Sequence, residues 1–203
     1  MIQQLPRLTL ICKVLVLLPF LFSLICSTAF ANEQVVRSAD VYFKKAMDST
    51  QTSEKLNYFQ KAYDRYYMET QLEPSDVYSY VQIARIYSDQ NRPEIARNYF
   101  ATALGIEPDN PFTNYHIGNF CYKQKKYKLA LEFYNKAYGI DDKSDLYINM
   151  ALIYEKFGDL LKANTYYKKA YVLQPSNNEL ADKIREIDSL KYKNTGYYNK
   201  KRK

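Results

Sequence analysis

Several residue types are scarce in this chain, and each scarcity narrows the possible folds and chemistries. The 203 residues include no Trp, five Gly and seven Pro. So few turn-forming residues argue against a turn-dense all-β protein and favour helices. The glycines match neither a GxGxxG nor a P-loop pattern, so the sequence contains no glycine-rich phosphate-binding loop. The single His, His116, excludes a metal site built on paired histidines.

The three Cys do not predict a disulfide framework. Cys12 and Cys26 lie in an N-terminal segment that we expect to be removed, which leaves Cys121 alone. A lone Cys forms no internal disulfide, so the stability of the chain must come from packing. Cys121 lies in a packing column of a predicted helix, where burial explains it better than reactivity. With no nucleophile–base pair and no metal-ligand set in the sequence, we predict no enzyme activity, no cofactor and no metal.

The first 31 residues have the pattern of a removable signal peptide. Arg7 and Lys13 precede an apolar run at residues 14–25. This run has 12 residues, too few to cross a hydrocarbon core of roughly 30 Å as a helix. The segment therefore predicts export, and a mature protein that is periplasmic or secreted.

The end of this segment supplies a cleavage site. Ala29 and Ala31 are small residues at the two positions that a signal peptidase reads, which predicts cleavage before Asn32. An uncleaved membrane anchor at residues 8–25 is the alternative. Lipidation at Cys26 is disfavoured, because the bulky Ile25 precedes it where a small residue is required.

Positive charge is concentrated at the two ends of the chain. The formal net charge is +7, but two cations belong to the predicted signal peptide and six lie at residues 191–203. The body between them is close to neutral. We expect residues 191–203 to be a disordered basic tail, either inert or in contact with an anionic membrane surface or a partner. Export argues against nucleic acid as a partner.

The most informative feature is an internal repeat with intervals of 34 and 33 residues. Small residues recur in three columns, which contain Ala84, Gly118 and Ala151; Ala96, Ala130 and Ala163; and Ala103, Ala137 and Ala170. Large residues keep the same intervals in Tyr87, Cys121 and Tyr154 and in Phe100, Tyr134 and Tyr167, while Pro108 and Pro175 close two of the units. Closely packed helix pairs require small residues on one helix opposite large residues on the other.

Each unit contains two amphipathic helices. In the first unit, Tyr80, Ile83 and Tyr87 follow a helical i, i+3, i+7 spacing. Pro93 and Pro111 suit the first turns of the helices that they begin. We place the units at residues 77–110, 111–144 and 145–177.

This pattern resembles the tetratricopeptide repeat. The resemblance implies an all-α, right-handed superhelical solenoid of antiparallel helix pairs. A degenerate repeat is predicted at 32–74, with helices near 37–48 and 53–72, because Ala62, Tyr66 and Pro74 keep the register and Glu69 replaces Ala. A capping helix is predicted at 178–190, opened by a capping box of Ser176 and Glu179. Its packing face would contain Leu180, Ile184 and Ile187.

The resemblance also implies a concave groove, lined by the first helix of each unit, that binds an extended or helical peptide. The candidate groove residues are Tyr78, Val81, Arg85 and Ser88; Phe112, Tyr115, Asn119 and Tyr122; and Asp145, Ile148, Leu152 and Glu155. The alternative is that these side chains pack on neighbouring helices. Some members of this family hold the acidic C-terminus of a partner with a clamp of Lys, Asn and Arg side chains. The matching positions in this chain are Val81, Arg85, His116, Asp145 and Asn149. The two cations of the third helix are missing and an acid stands in their place, so this clamp is absent.

We therefore predict an exported scaffold or adaptor that binds a protein partner, with assembly of an envelope or membrane complex as its expected role. A self-associating structural protein, tethered near a membrane by an uncleaved anchor or by the basic tail, is the alternative.

Overall fold

The computed structural model describes residues 38–140 and 143–200, with side chains described as far as residue 190. The predicted signal peptide, with Ala29 and Ala31, and the alternative anchor at 8–25 lie outside the described residues. Within them, regular structure consists of α-helices and one 3-10 turn, without a β-strand. The chain divides between Ile86 and Tyr87 into two compact units.

The first unit is built on an antiparallel helix pair. Helix α1 covers residues 38–48 and helix α2 is Thr52–Leu72, close to the bounds expected from the sequence. Helix α3, Val77–Asp89, begins in this unit and ends in the second. The buried core of the pair contains Ala39, Phe43, Ala46, Phe59, Ala62 and Tyr66.

The second unit contains the remaining helices. They are α4 (Pro93–Ile106), α5 (Pro111–Lys123), α6 (Tyr127–Lys136), a 3-10 turn (Ala137–Gly139), α7 (Lys143–Lys156), α8 (Leu160–Leu173) and α9 (Asn178–Lys200). Helix α5 packs on α6 and α7 packs on α8, while α9 packs on α8. The predicted all-α fold of helix pairs is confirmed.

Local sequence explains where these helices begin. The Asn110 side chain accepts a hydrogen bond from the Thr113 backbone N–H at 3.0 Å, which caps α5 ahead of its first-turn proline. Asp159 caps α8 in the same way, accepting from the Lys162 N–H at 3.1 Å.

The start of α9 differs from the capping box predicted at Ser176 and Glu179. The cap is Asn177, whose side-chain oxygen accepts from the Leu180 N–H at 3.2 Å. Because α9 begins at Asn178, Asn177 rather than Ser176 holds the capping position.

The turns inside the three units share one backbone conformation. Asn91, Lys125 and Gly158 have φ angles of 57°, 58° and 74°. They keep the intervals of the repeat, so each unit turns through a left-handed residue between its two helices. Glycine adopts this conformation without strain, whereas a residue with a Cβ does not.

The small-residue columns are the most tightly packed positions. The eight alanines of these columns are 0% exposed. Gly118 needs its missing side chain, because a Cβ there would lie 2.4 Å from the Cδ1 and Cε1 atoms of Tyr134. The sequence pattern therefore located close helix–helix contacts correctly.

Helix α9 corrects the prediction for the C-terminus. It continues to Lys200, ten residues past the predicted end at residue 190, so the backbone of 191–200 is helical rather than disordered. This stretch contains no Pro, and Gly196 costs only about 1 kcal/mol relative to Ala inside a helix.

Candidate partner-binding face

The predicted groove residues differ in exposure. Val81 is 0% exposed, so its prediction as a ligand-contacting residue is wrong. Helix α3 also buries Val77, Ser79, Gln82, Ile83 and Ile86, a wider arc than the single stripe expected from the spacing. Most of the other candidates are half-buried, and Asp145 is exposed.

Tyr78 takes part in a hydrogen-bond network within the first unit. The Asp40 Oδ1 atom accepts from the Tyr66 hydroxyl at 2.5 Å and from the Tyr78 hydroxyl at 2.8 Å. Burial, and then the bond to Asp40, raises the pKa of Tyr78 to about 12. The same causes, in the same order, raise the pKa of Tyr66. Both hydroxyls therefore stay protonated and join α2 and α3 to α1.

Arg85 is also held by α1. Its guanidinium lies 4.5 Å from the ring centroid of Phe43, and it donates to the Gln82 Oε1 atom at 2.6 Å. A cation over an aromatic face is attracted by the ring quadrupole. In the first unit, the alternative predicted for these side chains, packing on neighbouring helices, thus describes Tyr78 and Arg85.

The second unit brings its candidates together around Asn119. The Asn119 Oδ1 atom accepts from the Tyr134 hydroxyl at 2.7 Å and from the Asn149 amide at 3.0 Å. Burial raises the pKa of Tyr134, whose ring centroid lies 6.1 Å from that of Tyr115. One amide oxygen therefore links α5, α6 and α7.

Glu155 forms the corresponding link between α7, α8 and α9. It accepts from the Tyr167 hydroxyl at 3.1 Å through one oxygen and pairs with the Lys183 ammonium at 3.1 Å through the other. The hydrogen bond that Lys183 donates to Glu155 is the main cause that raises the pKa of Lys183. Sequence reasoning missed Lys183, which lies one helical turn after Leu180 on the capping helix.

The remaining candidates supply aromatic and aliphatic surface. Tyr122 packs against Tyr127 at a centroid distance of 5.5 Å, and Phe112 meets His116 edge-on at 4.4 Å. Ile148 and Leu152 are half-buried on α7. Together with Asn119 and Glu155, these side chains form what we call the α5–α7 face. It contains Phe112, Tyr115, Asn119, Tyr122, Ile148, Leu152 and Glu155.

Cys121 is buried, which raises the pKa of its thiol and disfavours the nucleophilic thiolate. Within residues 38–140 and 143–200, no group of three or more His, Cys, Asp or Glu side chains is arranged to hold a metal ion. Over the same residues, no helix combines the length and apolar character that a membrane span needs.

Comparison with known families matches the three units. The family model described as the tetratricopeptide repeat matches residues 77–110, 113–144 and 144–177. This is a tetratricopeptide-repeat protein. The family match starts and ends within two residues of the units that the 34- and 33-residue intervals predicted.

Two curated relatives share the repeat region. Cell division cycle protein 16 homologs from Homo sapiens and Mus musculus are each 27% identical over 114 residues, which cover 51% of this chain. The chain spans 18% of the length of each relative.

Solved structures share the fold. PilF of Pseudomonas aeruginosa superposes with a TM-score of 0.63 and 18% identity, covering 81% of this chain and 72% of that one. PilW, described as a widely conserved type IV pilus biogenesis factor, gives 0.60 and 18%, covering 75% and 69%. MamA gives 0.57 and 18%, covering 70% and 86%. At these identities the likeness concerns the helix-pair fold of this tetratricopeptide-repeat protein.

Proposed function

We propose that this protein is an exported scaffold that binds a segment of a partner protein on the α5–α7 face. The observation that carries the proposal is the half-buried set of apolar side chains on the first helices of two successive repeats, with Asn119 between them. Aromatic and aliphatic anchors around a few oriented polar groups suit recognition of a peptide. Binding rather than catalysis is the corresponding role.

The polar groups of this face are already oriented. Asn119 is held by Tyr134 and Asn149, and Glu155 is held by Tyr167 and Lys183. Side chains that are fixed before binding lose less conformational entropy when a ligand docks. A partner segment would therefore meet a surface that needs little rearrangement.

The charge of the face favours a particular class of segment. It contains one carboxylate, Glu155, and its other members are uncharged. That carboxylate is already paired with the Lys183 ammonium at 3.1 Å, so the face is close to neutral. Ile148, Leu152 and Tyr122 would receive apolar side chains. We infer a mainly apolar segment.

The cellular role is inferred from two independent features. The apolar run at 14–25 followed by Ala29 and Ala31 supports export. The fold likeness to PilF and PilW, the latter described as a pilus biogenesis factor, supports a role in the assembly of an envelope complex.

A pull-down from native envelope extract tests the binding face. Ile148 and Leu152 are replaced together by Ala, because both are half-exposed on α7 and neither belongs to the hydrogen-bond network. The matched control replaces Leu161 and Val172 of α8 with Ala in the same way. These two residues are 67% and 75% exposed. Wild type and control should capture the same protein, and the Ile148→Ala, Leu152→Ala variant should lose it.

Circular dichroism shows whether the helical content of each variant is unchanged. Equal capture by wild type and both variants would place the binding site elsewhere. Loss of capture by the α8 control alone would assign it to that helix.

Self-association is the second candidate, because Leu161 and Val172 are large apolar side chains left exposed on one side of α8. Sedimentation over a range of concentrations distinguishes the two roles. A mass that rises with concentration in wild type, and not in the α8 variant, would favour a structural oligomer.

A further inference from the structure

The second repeat has the largest excess of positive charge among the three. Residues 111–144 contain six Lys and three acids, whereas residues 77–110 contain three Arg and four acids and residues 145–177 contain four Lys and three acids. Two of the acids of the second repeat, Asp141 and Asp142, follow α6 in the sequence. Over residues 111–140, Glu132 is therefore the single acid against five Lys.

Three of these lysines lie together where α5 ends and α6 begins. They are Lys125, Lys126 and Lys128, and we call them the turn lysines. All three are exposed, and none forms an ion pair among the residues whose side chains the structure describes. Lys123, by contrast, pairs with Asp89 at 3.0 Å. The turn lysines therefore present uncompensated positive charge to solvent.

Local stability does not account for the turn lysines. Lys125 has a left-handed φ of 58°, whereas the other two repeats place Asn91 and Gly158 there, residue types that adopt this conformation more readily. Lys126 precedes α6 as its cap residue and makes no side-chain capping bond, because an ammonium has no acceptor. Lys128 lies in the first turn of α6, where the helix dipole favours an acid. Side chains that are ill suited to their local structure indicate a requirement other than folding.

Aromatic rings connect the turn lysines to the α5–α7 face. Tyr127, which lies between two of these lysines in the sequence, packs against Tyr122 of that face at a centroid distance of 5.5 Å. Tyr127 also meets the ring of Phe157 edge-on at 6.2 Å, and Phe157 is 47% exposed. These ring contacts extend the apolar surface from the α5–α7 face to the turn.

We propose that the turn lysines bind acidic residues that adjoin the apolar part of the partner segment. This role rests on the proposed function, because the segment reaches the turn by lying on the α5–α7 face. Carboxylates complement the lysine charges, and their attraction is weakened when salt screens it. A polypeptide fits both parts of the surface, since half-buried side chains on neighbouring helices are reached by a chain rather than by a flat bilayer.

Binding of two synthetic peptides to the protein, measured by fluorescence anisotropy, tests this role. One peptide joins a block of Leu, Ile and Tyr to a run of Glu, and the other replaces each Glu with Gln. Each peptide is made with the run before and after the apolar block, so that either chain direction can bind. An exposed ion pair is worth about twofold in affinity, so wild type should bind the Glu peptide about tenfold more tightly at low salt. This preference should disappear at high salt.

Lysine variants show whether the turn is responsible for the preference. Replacing all three turn lysines with Gln should leave the two peptides bound with equal affinity. The matched control removes the same charge from α1 and α2 and should retain the preference; it combines Lys44→Gln, Lys45→Gln and Lys61→Gln.

Two further variants separate charge from apolar contact and from stability. Ile148→Ala with Leu152→Ala should weaken both peptides by the same factor and leave the preference for Glu intact. Lys125→Gly should lower the preference about twofold while raising the melting temperature, so that lower stability cannot explain the weaker binding.

The outcomes distinguish the role of the turn lysines from the proposed function. Equal binding of the two peptides by wild type, or an unchanged preference after replacement of the turn lysines, would overturn that role and leave the proposed function intact. Unchanged binding of both peptides by the Ile148→Ala, Leu152→Ala variant, or no binding of either peptide by wild type, would instead contradict the proposed function.

Lysine acetylation read by mass spectrometry tests a membrane as the occupant. The Glu peptide should protect the turn lysines more than phosphatidylglycerol vesicles do. Protection by the vesicles and not by the Glu peptide would assign the turn lysines to a membrane surface and overturn the proposal.

Discussion

Replacing Gly118 with Ala places a methyl group against the ring of Tyr134. The new Cβ would lie 2.4 Å from the Cδ1 and Cε1 atoms and 3.2 Å from Cγ. Tyr134 is 1% exposed, so its ring has no open space into which it can swing. Moving the ring would also lengthen the 2.7 Å hydrogen bond that its hydroxyl donates to Asn119.

The sign of the effect depends on two opposing contributions. Ala is favoured over Gly inside a helix by about 1 kcal/mol. Overpacking a filled core costs about 1–3 kcal/mol, and weakening a buried hydrogen bond costs about 1 kcal/mol more. We therefore expect Gly118→Ala to lower the free energy of unfolding by about 1–3 kcal/mol.

Urea denaturation followed by circular dichroism measures this change. Gly105→Ala is the matched control, because Gly105 lies in α4 and nothing stands within 4 Å of its added Cβ. The control should leave stability unchanged or raise it by up to about 1 kcal/mol. Equal or greater stability of Gly118→Ala, with the control behaving as expected, would refute the proposed close contact between α5 and Tyr134.

Three further changes test other features. Glu69→Gln should stabilise the protein at pH 7, because burial, then Asp76 and Glu73, raises the pKa of this carboxyl and so disfavours its charged form in the folded state. A raised folded-state pKa means that wild type loses stability as pH rises through it, so the advantage should vanish near pH 4 in a urea titration repeated across pH. Lys125→Gly should stabilise the protein by about 1 kcal/mol, because glycine adopts the left-handed backbone conformation without strain. Gly158→Ala, which introduces a Cβ at the equivalent turn of the third unit, should destabilise the protein by a similar amount. Thermal melts compare the two variants. Asp159→Ala should lower the melting temperature through loss of the α8 cap, and Asp159→Asn should retain most of the wild-type stability in the same melts.

The repeats and the helices could be predicted because their requirements are local and periodic. Alanines at intervals of 34 and 33 residues mark where backbones must approach, and the structure buries them completely. Pro93 at a helix start and Asn110 as a cap act within one turn of chain. Such features are visible in sequence because each depends on residues only a few positions apart.

The candidate binding face could be outlined from the sequence only in part. The sequence identified α5 and α7 as the helices with candidate binding residues, including Asn119 and Leu152. It also placed Val81 on this surface, although Val81 is buried. Residue spacing predicts which side of a helix a residue lies on, but it does not predict how many neighbouring residues cover that side. It also missed Lys183, whose role depends on its distance from Glu155.

The composition and the repeat by themselves determined the fold class, the unit boundaries and the absence of an evident catalytic motif. Only the tertiary structure decided that Asp40 accepts from Tyr66 and Tyr78, that Asn119 joins three helices, and that Tyr127 packs against Tyr122 and Phe157. The physical reason is that helical periodicity is written within a few turns of chain. The partner of a polar side chain depends on the rotation and spacing of helices that packing alone sets.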